Sequence, residues 1–200
     1  MHSGHQKLFE LAKKYKTKYK SKIGVVTFDP IPKMFFNKHI KNYRISNFNQ
    51  KVIYLKKFGV DFVINKKFDK NFSKITYYKF IKDILSKKLR SKFIFVSNNF
   101  RFGHKREGDV AILKKYEKDF GYNLINPTPL MKNKKIISST IIRKLLEEGK
   151  LSKANTFLKR NWEIEGKVQR GRMMGQKIGF PTCNIDTVSY THLTLPTSYP

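Results

Sequence analysis

The amino-acid sequence predicts an α/β fold with a mainly parallel sheet, followed by a β-rich segment. Short apolar runs alternate with amphipathic segments along residues 6–158. Strands that alternate with helices are joined by right-handed crossovers, and these place the strands parallel in one sheet. After residue 161 polar and apolar residues alternate, and glycine recurs at positions 171, 175 and 179. We therefore place a domain boundary at residues 158–161.

Each predicted element rests on its own local pattern. The first helix covers residues 6–20, where apolar side chains recur at helical spacing. The run KIGVVTF is a short apolar segment that ends before a proline, as expected of a buried strand. The same two patterns predict the next elements, which are helices at 47–59, 76–89 and 109–121 and strands at 60–65, 92–97 and 122–127. Two helices separated by Gly149 close this region.

The chain carries a strong positive charge. Its 200 residues include 43 Lys and Arg against 14 Asp and Glu, which gives a formal net charge of +29. Such a field attracts polyanions, but the lysines are scattered through every segment, and the abundant residue types have codons rich in A and T. We therefore attribute the charge to composition and expect no nucleic-acid partner. A basic nucleic-acid-binding module stays open as the alternative that is not an enzyme.

The cysteine content and the hydropathy of the sequence indicate the cellular compartment. Cys183 is the single cysteine, which excludes an internal disulfide framework. No apolar run approaches the ~20 residues that a membrane span needs. No apolar signal segment stands at the start of the sequence either. These features predict a cytoplasmic protein without a membrane partner.

The opening letters, MHSGHQKLFE, place a short polar motif at the start of the first helix. His2 and His5 are close enough in sequence to reach the same side of one helical turn. Unpaired N–H groups and the helix dipole suit phosphate at this position, and Gly4 lets a nucleotide approach the backbone. Imidazole N–H groups can stabilise the charge that develops during phosphate transfer. The motif predicts a phosphate site, with two exposed histidines on a frayed terminus as the alternative.

The segment ISSTIIR is a second candidate phosphate site. Ser138, Ser139 and Thr140 supply hydroxyl and backbone N–H groups at another helix start. Arg143 follows about one turn later, where its guanidinium can reach a β- or γ-phosphate. An ordinary helix cap with a surface arginine is the alternative. In a doubly wound sheet both helix starts can meet at the carboxyl edge, where such folds bind ligands.

Together the two helix starts resemble the His-x-Gly-His and Ile-Ser-Ser-Thr-x-x-Arg signatures of the nucleotidyltransferase superfamily. Four segments, one of which contains the second motif, stand in a specific order: TFDPIP, NNFRFGHKREGD, ISSTIIRKLLEEG and GQKIGFPTCN. As an ordered set they resemble the prokaryotic bifunctional riboflavin kinase/FMN adenylyltransferases, the FAD synthetases, over almost the whole chain to about Asp186. The sequence departs from that pattern at Ile31, Ser97 and Lys159, where histidine, glycine and glycine are usual.

The resemblance implies a Rossmann-like nucleotidyltransferase domain, followed by the first strands of a riboflavin kinase β-barrel. It implies the transfer of AMP from ATP to FMN, giving FAD and pyrophosphate. It also implies that the intact parent phosphorylates riboflavin with ATP, and that Mg²⁺ assists. A cytidylyltransferase or a pantetheine-phosphate adenylyltransferase is the alternative enzyme, although the NNFRFG and GFPTCN segments argue against both.

The resemblance also assigns roles to residues of four kinds. These are catalytic residues that act on the transferring phosphate, nucleotide-binding residues, flavin-binding residues and Mg²⁺ ligands. The expected residues are, in that order, His2, His5 and Arg143; Gly4, Ser138, Ser139 and Thr140; Asn99 and Phe102; and Thr182 and Asn184.

The same resemblance predicts that the sequence is a fragment with impaired activity. In the family a strand precedes the two histidines, and most of the kinase barrel follows the GFPTCN segment. Residues 1–158 would be the adenylyltransferase domain without its first strand, and residues 159–187 would begin the kinase domain.

The last residues differ in composition from the rest of the chain. Lysine, abundant before this point, is absent after Lys177. The segment VSYTHLTLPT, residues 188–197, matches one reading frame of a transposase-type sequencing adaptor. A flexible C-terminus is the alternative. We predict that residues 188–200 are a sequencing-adaptor artefact with no stable packing and no functional role.

Overall fold

The computed structural model describes residues 2–40, 44–128, 131–132, 135–169, 179 and 184–187. Side chains are described for all of these except residues 131–132, 135–136, 169 and 184–187. Every helix and strand predicted above within residues 6–158 is present, with ends that shift by a few residues. None of the helices in the described ranges is long and apolar enough to cross a membrane.

Helices and strands alternate along the chain. The helices are α1 (Ser3–Lys18), α2 (Pro32–Phe36), α3 (Phe48–Lys57), α4 (Lys70–Ser73), α5 (Tyr77–Lys79), α6 (Val110–Lys115), α7 (Glu117–Phe120), α8 (Ser139–Glu147) and α9 (Leu151–Leu158). The strands are β1 (Gly24–Asp29), β2 (Phe62–Lys67), β3 (Phe93–Phe95), β4 (Asn123–Ile125), β5 (Met131–Lys132), β6 (Lys135–Ile136), β7 (Gly166–Gln169) and β8 (Asn184–Thr187).

The strands of the first region are parallel, as predicted, but they form two separate pairs. β1 pairs with β2 in a register that joins Gly24 to Phe62, and β3 pairs with β4 in a register that joins Phe93 to Asn123. Within the described residues no strand lies between β1 and β3. The predicted α/β fold with parallel strands is therefore confirmed, and within the described residues these strands form two pairs, because β1 and β3 are not hydrogen-bonded to each other.

The β-rich segment expected after residue 158 begins with an antiparallel pair. β7 pairs with β8 in a register that joins Gly166 to Thr187. Alternating polar and apolar residues suit such a pair, since successive side chains point to opposite faces. A second short antiparallel pair, β5 with β6, precedes α8.

Two predicted helices are less regular than their sequence pattern suggests. The helix expected at 109–121 is divided at Tyr116 into α6 and α7. The helix expected at 76–89 begins as α5 and continues as a π-helix over Phe80–Lys88. This wider turn packs its apolar side into the main core, because Phe80, Ile81 and Leu85 are all buried there.

Two apolar clusters hold the described fold together. The larger joins the π-helix to β3, α6 and Tyr122. The smaller is formed by α8 and α9, where Ile142, Leu146, Ala154 and Leu158 have no exposed surface. Burial of apolar surface stabilises a fold by about 25 cal/mol per Å². The apolar contacts between α8 and α9 therefore help to hold α8, and with it the start of this helix, in place.

The segment that follows α9 is held against α3. The indole N–H of Trp162 donates to the Ile45 carbonyl at 2.8 Å, and the Gln50 side chain donates to the Glu163 carbonyl at 3.2 Å. The guanidinium of Arg160 lies 4.1 Å from the ring centre of Tyr54. α3, which belongs to the first region, therefore also contacts the residues that precede the β-rich segment.

Candidate phosphate-binding cavity

A cavity of about 610 Å³ lies between the two parallel strand pairs. β1 and β3 form two of its walls, and α1, α3 and α8 each contribute side chains to it. Much of the lining is apolar. The polar and charged side chains at its surface include His5, Thr27, Asp29, Arg44, Lys51, Ser139 and Arg143.

The start of α1 is tightly packed. His2 caps the helix in an extended conformation and is only 8% exposed, and its ring centre lies 3.9 Å from that of His5. The backbone N–H of His2 donates to Nδ1 of His5 at 3.5 Å. A Cβ atom on Gly4 would lie 3.1 Å from the His2 ring. A side chain at position 4 would therefore require the His2 ring to shift by a few tenths of an ångström, so the close approach of this ring favours glycine.

Burial makes both histidines neutral at pH 7. Desolvation lowers the pKa of His2 to about 4 and, together with the nearby His2 and Lys51, lowers the pKa of His5 to about 3. Nδ1 of His2 and Oγ of Ser3 are buried without a hydrogen-bond partner among the described residues. Such unsatisfied groups are rare in folded proteins, and an anion that accepts hydrogen bonds at this helix start would remove the cost.

The start of α8 has a conventional cap. The Ser138 hydroxyl accepts a hydrogen bond from the Ile141 backbone N–H at 3.4 Å. Ser139 and Arg143 line the cavity, whereas Ser138 and Thr140 do not. Thr140 is exposed at the helix surface. The structure therefore separates this motif into a capping residue, two cavity residues and one surface residue.

The two helix starts lie side by side, as the sequence predicted for the carboxyl edge of the strands. A Cβ atom on Gly4 would lie 3.6 Å from the carbonyl oxygen of Ile137, immediately before α8. His5 from α1 and Ser139 and Arg143 from α8 line the same cavity. Two sets of N-terminal N–H groups, with an arginine beside them, suit a ligand that carries several phosphates.

Four polar or charged cavity residues without an assigned role contact one another in two pairs. The Lys51 ammonium, on α3, donates to the Thr27 hydroxyl on β1 at 2.5 Å. Arg44 forms an ion pair with Asp29 at the carboxyl end of β1. Thr27 and Asp29 lie within the TFDPIP segment, which was a detectable signal, whereas Lys51 had no signal among so many lysines.

The expected flavin residues lie outside the cavity lining. Phe102 is 7% exposed and packs in the main core against Phe80 and Phe100, with ring centres 5.3 and 5.5 Å away. Asn99 is exposed, and its side-chain oxygen accepts a hydrogen bond from the Ser97 hydroxyl at 2.8 Å. Phe100, from the same segment, and Ser97, immediately before it, do line the cavity. The flavin roles of Asn99 and Phe102 remain predictions.

The expected Mg²⁺ ligands lie outside the part of the chain whose side chains are described. Thr182 and the side chain of Asn184 lie outside the described residues, as does the whole tail at 188–200. Within the part of the chain that is described, no group of three or more His, Cys, Asp or Glu side chains is placed to hold a metal ion.

Two family models match the chain. The FAD synthetase model matches residues 1–141, and the riboflavin kinase model matches residues 158–199. The second match includes most of the segment that we interpret as adaptor-derived, and that interpretation stays a prediction. The domain boundary predicted at residue 158 also remains a prediction, although the second match begins there.

The curated relatives agree with the two family models. The chain is 39% identical over 185 residues to a bifunctional riboflavin kinase/FMN adenylyltransferase of Buchnera aphidicola and 34% identical over 185 residues to that of Escherichia coli K12. It is 30% identical over 187 residues to that of Listeria monocytogenes. Each alignment covers 92% of this chain and 59% of the relative. The chain thus spans about three fifths of the length of these relatives.

A solved structure described as a macrolide-efflux protein from Streptococcus pneumoniae has a similar fold. It superimposes with a TM-score of 0.81 at 29% identity, covering 94% of this chain and 61% of that one. Sequence motifs, the paired helix starts and the family match over residues 1–141 agree. The chain belongs to the FAD synthetase family.

Proposed function

We propose that the protein transfers AMP from ATP to FMN, forming FAD and pyrophosphate. One observation carries this proposal: the starts of α1 and α8 meet at a single cavity, to which His5, Ser139 and Arg143 all contribute. An oxygen of the FMN phosphate attacks the α-phosphorus of ATP in line, and the bond to the β-phosphate oxygen breaks. Catalysis of such a transfer consists mainly of positioning and charge stabilisation, which is what this cavity can supply.

The cavity residues divide these tasks between them. Arg143 provides permanent positive charge for the departing pyrophosphate, and Ser139 offers a hydroxyl beside it. His5 is neutral at pH 7 in the free protein, because its pKa is about 3. It therefore acts as a hydrogen-bonding group toward the transferring phosphate, and it gains a proton only where phosphate charge raises its pKa. His2 packs against His5 and fixes the orientation of its ring.

Mg²⁺ would enter this cavity together with the phosphates. Asp29 is the one described carboxylate in the lining, and it is already paired with Arg44. That donor set cannot form an all-protein cage, but Mg²⁺ commonly binds through one carboxylate, water and substrate phosphates. Asp29 is the described side chain that would hold the ion, which would supply positive charge to stabilise the phosphates.

We further propose that the full protein phosphorylates riboflavin and works in the cytoplasm on small molecules. The antiparallel pair β7–β8 and the riboflavin kinase match at residues 158–199 support the second activity. We do not carry over macrolide efflux from the solved structure, because the family match and the curated relatives agree on flavin nucleotides.

The test is product identity. Purified protein is incubated with ATP, Mg²⁺ and FMN, and FAD and pyrophosphate are measured separately by chromatography and a coupled assay. We expect equal amounts of the two products. Parallel reactions contain CTP with a phosphorylated alcohol, or ATP with pantetheine phosphate. Turnover of either pair, without FAD from FMN, would contradict the flavin assignment while leaving the phosphate cavity intact.

A further inference from the structure

Lys51 is a cation in the cavity that the proposed roles do not use. It projects from α3 toward β1 and lies in the same lining as His5, Ser139 and Arg143. Its ammonium donates to the neutral Thr27 hydroxyl at 2.5 Å. Thr27 itself is 6% exposed, so this contact holds the lysine at the inner wall of the cavity.

No described carboxylate forms an ion pair with Lys51. The nearby Asp29 attracts it, but Asp29 forms its ion pair with Arg44, and Arg44 repels the lysine. Burial is the largest cause of the lowered pKa of Lys51, and repulsion by Arg44 is the next. A partly buried cation that meets a hydroxyl and another cation is costly unless an anion compensates.

The positive charge is also directed at the histidines. The Lys51 charge is one of the causes that lower the pKa of His5, which places the two groups within electrostatic reach of each other across the cavity. A phosphate bound near His5 would lie in the field of Lys51 as well. The same phosphate would lie in the field of Arg143 at the other helix start.

We propose that Lys51 binds a phosphate oxygen of the substrate directly, as a third cationic contact beside the two helix starts. This inference rests on the proposed function, because it assumes that the cavity receives phosphates during the reaction. The phosphate has two possible sources, the triphosphate of ATP and the terminal phosphate of FMN. Both present the same charged oxygen to an ammonium group.

The experiment compares three variants of the purified protein with the unmodified chain. Lys51→Met removes the charge at similar length, and Lys51→Arg keeps a charge. Lys56→Met removes an exposed lysine from the same helix and serves as the matched control. Pyrophosphate and FMN are titrated separately by calorimetry, with pyrophosphate standing for the ATP phosphates.

We expect Lys51→Met to lower the binding affinity for one of the two ligands by about 10-fold to 100-fold, which is the range for losing a hydrogen bond to a charged group. Lys51→Arg should retain most of the affinity, and Lys56→Met should match the unmodified chain. The weakened ligand identifies the source of the phosphate. The proposal would be overturned if Lys51→Met bound both ligands with affinities within twofold of those of the unmodified chain.

A thermal unfolding series separates binding from a structural role. Removal of a partly buried cation that forms no ion pair with a described carboxylate should leave Tm of Lys51→Met unchanged or raised in the absence of ligand. A lowered Tm with unchanged affinities would mean that Lys51 only supports β1 through Thr27, and would also overturn the proposal. Lys51-dependent pyrophosphate binding without FAD formation would leave this inference standing and refute the flavin assignment. FAD formation by Lys51→Met with unchanged affinities for both ligands would refute this inference and leave the flavin assignment standing.

Discussion

The two helix starts at the cavity are built differently. At α1 the polar side chains are buried, both imidazoles are neutral, and His2 Nδ1 and Ser3 Oγ have no partner among the described residues. At α8 the Ser138 hydroxyl caps its own helix, and the next residues are half-buried or exposed. Two buried polar atoms at the first start therefore lack a hydrogen-bond partner among the described residues, whereas a side chain of the protein caps the second. If both starts bind phosphate as proposed, the ligand would add hydrogen bonds mainly at α1.

The largest expected effect is on adenylyl transfer. We predict that His5→Ala and Arg143→Ala each slow the reaction at least ~100-fold, the scale for losing a preorganised donor that stabilises transition-state charge. Single-turnover formation of FAD measures the rate. His39→Ala and Lys144→Ala are the controls, because both of these side chains are exposed. Near-normal rates in both test variants would place the phosphate site elsewhere.

The next effect concerns stability as a function of pH. Unfolded histidines take up protons near pH 6.5, whereas the folded chain holds the pKa of His2 at about 4 and that of His5 at about 3. The unfolding free energy should therefore fall as pH drops below 6.5, by up to about 1.4 kcal/mol per pH unit for each histidine. The fall should level off below the folded pKa values.

Urea unfolding at pH 7, 6 and 5 measures this dependence. In a His2→Asn/His5→Asn double variant the fall should be much smaller, and no comparable change is expected from α8, whose start contains no titratable cap. Equal slopes for the double variant and the unmodified chain would contradict the burial of neutral imidazoles at the start of α1.

A smaller effect is expected from the cap of α8. Ser138→Ala should lower the unfolding free energy by about 1 kcal/mol, because it removes the acceptor for the Ile141 backbone N–H. Thr140→Ala, on the exposed side of the same turn, should change it by less than about 0.5 kcal/mol. Chemical denaturation of both variants makes the comparison. A Ser138→Ala variant as stable as Thr140→Ala would show that the cap is not needed.

The order of elements could be predicted from the sequence because it depends on local patterns. The strand KIGVVTF and the helix around Leu8 were recognisable from spacing alone, and both are present as β1 and α1. The separation of the strands into two pairs could not be predicted, since strand pairing joins residues that are distant in the chain. β1 pairs with residues 62–67, and β3 pairs with residues 123–125.

Three residues of the sequence motifs line the cavity, His5, Ser139 and Arg143, and their roles toward phosphate stay predictions. They could be singled out because a polar motif at a helix start has a physical use. Lys51 could not, because 43 Lys and Arg residues leave no single lysine distinctive. Phe102 shows the opposite difficulty, since a phenylalanine that could pack on a flavin has the same chemistry as one in the core.

One departure from the family pattern has a structural reading. Lys159 stands where glycine is usual, and its backbone has φ 53 and ψ 34 in the left-handed region at the end of α9. Glycine adopts this conformation without the steric cost that a side chain incurs. A glycine at this position would therefore suit the backbone conformation of the helix end.

We propose above that the starts of α1 and α8 bind one phosphate-bearing ligand together. A double-mutant cycle in ATP affinity tests this most directly, using His5→Ala, Arg143→Ala and the double variant. If both residues act on the same ligand, the cycle should give a coupling energy of about 1 kcal/mol or more. Strict additivity, within about 0.3–0.5 kcal/mol, would mean that the two helix starts act independently and would contradict a shared site.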